Sequence, residues 1–339
     1  MKRTCYLGLS LFLILALGAP SFAQNSLAAD NAYRDFYNEK DPQKKLALGE
    51  KFLAEFKEST YRAPVYQTLL NLHVTAQSWP RVMDTVEKLP ALLPTADNAL
   101  KTKFYPYGMA AAQQLNNADK IIEFADKILA VDPNNLQAQI AAATTLPEKS
   151  PQDQAANDKA FDLANKALAG VEQFFSKPPA GMTPAQAAQE KAGYEVPLHS
   201  AIAYVYLNRK DYPKASEKYE QIVKMTPKDG IVRYRLGLAY QYQAQEASKL
   251  MLAAIDAENA AKRAQPIDQP LVDELTARRQ GIEADAREKR DKAIDELASA
   301  AAIGGIVAQP ARDAVERLYK VKNNDSLDGL DQLINSKKQ

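Results

Sequence analysis

The chain has 339 residues, 46% of them hydrophobic, with 13 glycines and one cysteine. That length is near the upper limit for a single globular core, so two domains or an extended repeat array is expected. The balance of 43 basic against 42 acidic residues lacks the basic excess of a nucleic-acid binder and gives no support to electrostatic attachment to an anionic membrane.

The N-terminus reads as an export signal, residues 1–23. Lys2 and Arg3 form a basic region, and an apolar run follows from Tyr6 to Ala19. Ser21-Phe22-Ala23 places small residues where a signal peptidase cuts, so cleavage after Ala23 is expected. The apolar run is shorter than the ~20 residues a spanning helix needs. Cys5 precedes this run, whereas a lipoprotein cysteine would follow it. Cleavage removes that cysteine and leaves a mature chain of about 315 residues, with 41 basic against 42 acidic side chains and no thiol chemistry. The expected location is outside the cytoplasm, periplasmic or secreted.

Alanine is abundant and glycine scarce in the remainder, so helix propensity is high almost throughout. A helix pair split at Asp41-Pro42 covers 28–58, with Ala47, Leu48, Phe52, Leu53 and Phe56 on one face. Further on, a fixed interval recurs. Trp79, Ala118 and Tyr212 each stand fifteen residues before a proline, namely Pro94, Pro133 and Pro227. Ten residues before these marks lie Leu69, Gly108 and Ile202; six before lie His73, Ala112 and Tyr206. Val86, Ala125 and Tyr219 stand seven after, and Leu89, Ile128 and Ile222 ten after. These are the i, i+4, i+7 stripes of two successive helices. Pro80 and Pro213 suit the first turn of a helix, and Asp211 suits an N-cap.

The intervals between pairs are uneven. Pro94 and Pro133 are 39 apart, which implies a loop insertion near 95–99. Pro147–Gln154 and Ser176–Pro184 read as loops flanking a long helix, Ala155–Phe175. From Gln243 to Glu288 the chain is highly charged, with Pro266 and Pro270 bracketing a turn. This segment reads as a helical hairpin inserted in one repeat, followed by a delayed second helix at Lys292–Ala302 and a stop at Gly304-Gly305. The charges of Arg278–Asp295 read as a solvated face. Pro310–Val321 and Ser326–Asn335 form a last pair that caps the array.

The pattern resembles the tetratricopeptide repeat, a 34-residue helix pair. Residues 196–229 match best, through Ile202, Ala203, Tyr206, Tyr212, Ala215, Tyr219, Ile222 and Pro227. The key residues recur 34 further on as Leu236, Gly237 and Tyr240. The resemblance implies an all-α, irregular solenoid of helix–turn–helix repeats. Its parts are helix pairs over 24–146, a long helix with loops over 147–184, repeats with the hairpin 243–288 over 185–305, and capping helices over 306–339. It also implies a concave groove lined by the first helix of each pair. Carried over, the groove positions fall on Pro197, Ser200, Tyr204, Leu207 and Asn208, then on Ile231, Tyr234, Leu238, Gln241 and Tyr242, with Arg235 beside them. Family members that grip a C-terminal carboxylate have Lys and Asn where Ser200 and Tyr204 stand, which argues against that clamp.

Signatures of catalysis are missing from the sequence. His73 and His199 are the two histidines, and both fall on packing positions. No paired-cysteine or His-Glu-x-x-His spacing offers a metal site, and there is neither a glycine-rich phosphate loop nor a Gly-x-Ser-x-Gly elbow. The expectation is a non-enzymatic scaffold or adaptor of a bacterial cell envelope, without cofactor, metal or nucleic acid. It would take a peptide or partner helix on Ser200, Tyr204, Asn208, Tyr234, Arg235, Leu238, Gln241 and Tyr242. Two alternatives stay open: a homo-oligomer joined through the 243–288 hairpin, and a helical solute-binding protein or enzyme.

Overall fold

The computed structural model describes residues 26–92, 103–177 and 181–338. The leader and the 95–99 loop lie outside the described residues, as does Pro94. Among the described residues the secondary structure is helical. Two compact units divide the chain, residues 1–95 and 96–339, so the boundary falls inside the 24–146 segment.

The first unit contains α1 (Leu27–Asn38), α2 (Pro42–Glu55), α3 (Arg62–Thr75) and α4 (Trp79–Lys88), closed by a 3₁₀ turn at Leu89–Leu92. Asp41 caps α2 by accepting from the N–H groups of Gln43 and Lys44. The core joins Ala29 and Phe36 of α1 to Phe52 of α2 and to Val65 and Leu69 of α3.

In the second unit, α5 (Tyr105–Gln114), α6 (Ala118–Leu129), α7 (Leu136–Lys149), α8 (Gln154–Phe175), α9 (Pro184–Asn208) and α10 (Tyr212–Met225) follow in antiparallel succession. Then come α11 (Gly230–Arg263), α12 (Gln269–Ile303), α13 (Ala308–Lys322) and α14 (Leu330–Ser336). From α5 to α13 each helix packs on the next, α7 also packs on α9, and α14 packs on α12. One apolar cluster joins α7, α8 and α9 through Ala143, Ala164, Val171, Leu198 and Ile202. A second joins α9 to α12 through Ala203, Tyr219, Leu236 and Ala293. The last joins α12, α13 and α14 through Leu297, Val315 and Leu330.

Trp79, Ala118 and Tyr212 are each the first residue of a second helix. The turn before each is built the same way. Gln77, Asn116 and Lys210 have φ of 52°, 52° and 61°. The next N–H, of Ser78, Asn117 and Asp211, donates back to the carbonyl of His73, Ala112 and Tyr206, at 2.9 Å in every case. This is the helix-ending motif with a left-handed residue, here made without glycine. The stripes of the interval also hold: Leu69, Val86, Leu89, Ala112, Ala125, Tyr219 and Ile222 are all buried.

Helix pairs approach closely where a side chain is missing. A Cβ on Gly237 of α11 would lie 2.6 Å from Leu297 Cγ of α12, and one on Gly108 would lie 2.5 Å from the Phe124 ring. Such distances leave no room for even one methyl group without repacking.

Two segments differ from expectation. Pro147–Gln154 is not all loop: α7 runs through Pro147 to Lys149. Ala143, Leu146 and Pro147 are buried on one face, so the apolar register outlasts the proline, which sits in the final turn where little of the hydrogen-bond ladder remains to be lost. The charged hairpin is present, but nothing separates it from its neighbours. It is the outer part of α11 and α12, which have 34 and 35 residues. From Glu288 to Ala302 there is no cap, glycine or proline to end a helix, so Lys292–Ala302 continues α12.

These two helices meet along a heptad seam. On α11, Ala244, Ala247, Met251, Ala254, Glu258 and Ala261 alternate at intervals of three and four, and all are buried or half-buried. On α12, Val272, Leu275, Arg279, Ile282, Ala286 and Lys289 do the same. Glu258, 5% exposed, accepts from Arg279 Nε at 2.6 Å and from Lys262 Nζ at 2.5 Å. Those bonds from Lys262 and Arg279 hold its carboxyl at a pKa of about 2. A polar pair at a seam position sets register. The expected solvated face is otherwise present, with Arg287–Glu283, Lys289–Asp285 and Lys292–Glu288 spaced i, i+4.

Candidate partner-binding face

Three first helices are joined by one constellation. Arg235 of α11 places its guanidinium carbon 4.3 Å from the ring centre of Tyr204 on α9. The same guanidinium donates through Nη2 to Glu148 Oε1 on α7 at 2.6 Å. The Arg235 side chain is 20% exposed and that of Glu148 is 56% exposed, so one edge of the ion pair meets solvent. Beneath it lies Tyr219 of α10, fully buried, its hydroxyl without a formed hydrogen bond among the described residues. Burial pushes that hydroxyl well above the usual tyrosine range, and the Arg235 charge acts in the opposite direction. An arginine stacked on an aromatic face is fixed in orientation.

The other expected residues distribute around this centre. Asn208 sits near it on α9, but its amide is already committed: Nδ2 donates to Pro147 O at 3.0 Å and to Asn157 Oδ1 at 2.9 Å. Asn157, 2% exposed, in turn donates to the carbonyls of Pro151 and Asp153. The two asparagines tie α7, α8 and α9 together. Tyr242 stacks on Tyr212 of α10, ring centres 4.9 Å apart and planes 26° apart. Tyr234 rests against the α12–α14 cluster, where burial raises its hydroxyl pKa. Ser200, Leu238 and Gln241 are half-buried, and the Gln241 carbonyl oxygen is buried without a hydrogen-bond partner among the described residues. The tyrosines therefore do not act alike: Tyr204 meets Arg235, Tyr242 meets α10 and Tyr234 meets the terminal cluster.

Glu148 is the residue that sequence reasoning missed here. Extending the apolar register of α7 past Pro147 would have placed Glu148 on a helix. Tyr219 is a packing residue, as its place in the interval implied.

His73 is 7% exposed, and burial lowers its pKa. His199 is half-buried; burial, then the charge of Lys218, lowers its pKa. Among the described residues there is no group of three or more His, Cys, Asp or Glu side chains able to hold a metal. No described helix is long and apolar enough to cross a membrane.

No protein-family model matches the chain, and no curated protein matches it. Solved structures do. A tetratricopeptide repeat protein from Parabacteroides merdae aligns over 86% of this chain and 96% of its own, with 10% identity and a TM-score of 0.39. A monomeric mutant of IFIT1 with m7Gppp-AAAA aligns over 91% of this chain and 78% of its own, with 12% identity and a TM-score of 0.33. The helix-pair architecture rests on the chain's own geometry, not on these scores.

Proposed function

We propose that the chain is a protein-interaction scaffold that takes a peptide or partner helix on the face shared by α7, α9 and α11. The observation that carries this is the Glu148–Arg235–Tyr204 constellation, a rigid aromatic and cationic anchor open to solvent on one edge. Ser200, Leu238 and Gln241 extend the face with small, apolar and amide chemistry. Tyrosine and arginine are the side chains that dominate binding energy at protein interfaces. The proposal includes export to a bacterial cell envelope, supported by the Lys2-Arg3 region, the Tyr6–Ala19 run and Ser21-Phe22-Ala23.

Site-specific photocrosslinking tests the face. A crosslinker at Ser200 or Leu238 is expected to capture a partner in cells, and one at Lys224 on the second helix α10 is not. Equal capture from all three positions would overturn the assignment. Tyr204→Ala combined with Arg235→Ala is expected to weaken capture by tenfold or more, on the order of a 1.4 kcal/mol loss, in a chain that circular dichroism shows to be folded. Export is checked by fractionation and intact mass, with a mature species beginning at Gln24 as the expected result.

A further inference from the structure

A cavity of about 640 Å³ opens in the first unit, with Tyr37, Lys40, Lys45, Thr68, Asn71 and Leu72 in its lining. These residues come from the end of α1, the start of α2 and the second half of α3. None of them belongs to the face on α7, α9 and α11. The volume falls in the range of ligand sites.

Lys45 is the fixed cation of this cavity. It is half-buried, and its ammonium donates to the Tyr37 carbonyl at 3.0 Å. It lies 5.7 Å from the ring centre of Phe36 and 6.0 Å from that of Tyr37. An ammonium has three donor hydrogens and no acceptor, and Lys45 meets no carboxylate among the described residues. Lys40 is exposed and forms no salt bridge among the described residues. The adjacent carboxylates are turned to the backbone instead. Glu39 Oε1 accepts from the N–H groups of Lys40 and Asp41, at 2.7 and 2.8 Å. Asp41 Oδ1 accepts from those of Gln43 and Lys44, at 2.9 Å each. Two cations therefore line the cavity without a counter-ion, and one of them is held in place by a carbonyl and two rings.

The uncharged lining narrows the class of anion. Asn71 is exposed, and its amide makes no hydrogen bond among the described residues. Such an amide offers both a donor and an acceptor, as a peptide bond requires. The Thr68 hydroxyl is committed to the Pro64 carbonyl at 3.0 Å. Tyr37 is 67% exposed and, with Leu72, supplies apolar area for a side-chain stem. A free phosphate would use the charge alone. A peptide with acidic side chains uses the charge, the amide and the apolar area together.

We propose that this cavity is a second binding site, which takes an acidic peptide segment of a partner, its carboxylates on Lys40 and Lys45 and its backbone on Asn71.

Fluorescence anisotropy of the full mature chain tests the proposal, with circular dichroism to verify folding of each variant. The probe is an amidated hexaglutamate peptide with an N-terminal dye. It is expected to bind, and the hexaglutamine peptide is not. Lys45→Met keeps an apolar stem over the rings and removes the charge, and is expected to weaken binding roughly tenfold. Lys40→Gln and Asn71→Ala should each weaken it by roughly threefold to tenfold. Lys51→Gln, on the same helix but paired with Glu55 at 3.9 Å, should leave binding unchanged, and so should Arg235→Ala. The proposal is overturned by a wild type that does not bind hexaglutamate, or by binding that ignores Lys40→Gln and Lys45→Met. It is equally overturned if Lys51→Gln or Arg235→Ala weakens binding as much as Lys45→Met does. Binding that ignores Asn71→Ala, or that unlabelled hexagalacturonate displaces more readily than unlabelled hexaglutamate does, overturns the assignment to a peptide. Crosslinking from Ser200 and Leu238 reads the other face, so either proposal can fail alone.

Discussion

A missing side chain can be as structural as a large one. Gly237 admits Leu297 to the backbone of α11, and a methyl group there must push α12 outward. Gly237→Ala is expected to cost about 1–3 kcal/mol, measured by chemical denaturation. Asn157 works in the opposite way, by filling hydrogen-bond vacancies. Its amide and that of Asn208 satisfy carbonyls at the end of α7 and the start of α8. Asn157→Ala removes the side-chain donor to Pro151 O and the acceptor of the Asn208 amide and is expected to cost about 1 kcal/mol, by the same measurement. Gly237 was legible in the sequence, because it stands 34 residues from Ala203 at a small-residue position. The asparagine pair was not legible, because a hydrogen bond between residues 51 apart leaves no periodic trace. The same holds for Glu148, which enters the face by a contact 87 residues away in sequence.

Repetition of an element conveys more than any one residue in it. The fifteen-residue interval located the first residue of α4, α6 and α10, because core packing demands large and small side chains at fixed helical offsets. The left-handed residue in each turn escaped notice, since Gln77, Asn116 and Lys210 share no chemistry. A side chain other than glycine in that conformation costs roughly 1 kcal/mol, partly offset by the entropy that glycine loses on folding. Lys210→Gly and Gln77→Gly are thus expected to stabilise the chain by roughly 0.5 kcal/mol each. Asn116→Gly should gain less, because asparagine tolerates this region. Thermal denaturation of the three variants gives the ranking.

The arm formed by α11 and α12 was legible as a hairpin from its prolines. Its continuity with the repeat was hidden by charge, because an alanine seam has too little hydrophobic contrast to stand out from the salt-bridged faces around it. Its Glu258 carboxyl has a pKa near 2 against about 4.3 in an unfolded chain. A lowered carboxyl pKa adds stability that is fully present above the unfolded value and is lost as pH falls toward the folded one. Amide exchange in the arm should therefore accelerate between about pH 4 and 2. In Glu258→Gln that acceleration should be absent, with exchange already faster at neutral pH. An unchanged pH profile in the variant would show that the ion pair does not govern the arm.

Within each unit, stability is handed from helix to helix, as α1 to α4 and α5 to α13 pack successively on one another. Such an array needs a terminal cover. Helices α13 and α14 provide it by burying Ile294, Leu297 and Ala298 of α12 under Val315, Leu330 and Ile334. A chain ended after Gly305 would expose those side chains. It is expected to melt at lower temperature and to aggregate, which light scattering during heating would record.

The length of α11 and α12 also bears on the order in which the chain acquires structure. Their pairing is the most extensive in the molecule, yet only the short turn 264–268 separates the two helices. Closing so short a loop exacts little entropy, and local pairings form early. The arm is thus placed to fold ahead of the repeats on either side. Once Glu258 has found Arg279, the inner ends of both helices are already held in register, with Gly237 and Leu297 brought level. The segment that interrupts the repeat spacing would then be the template on which the neighbouring repeats assemble.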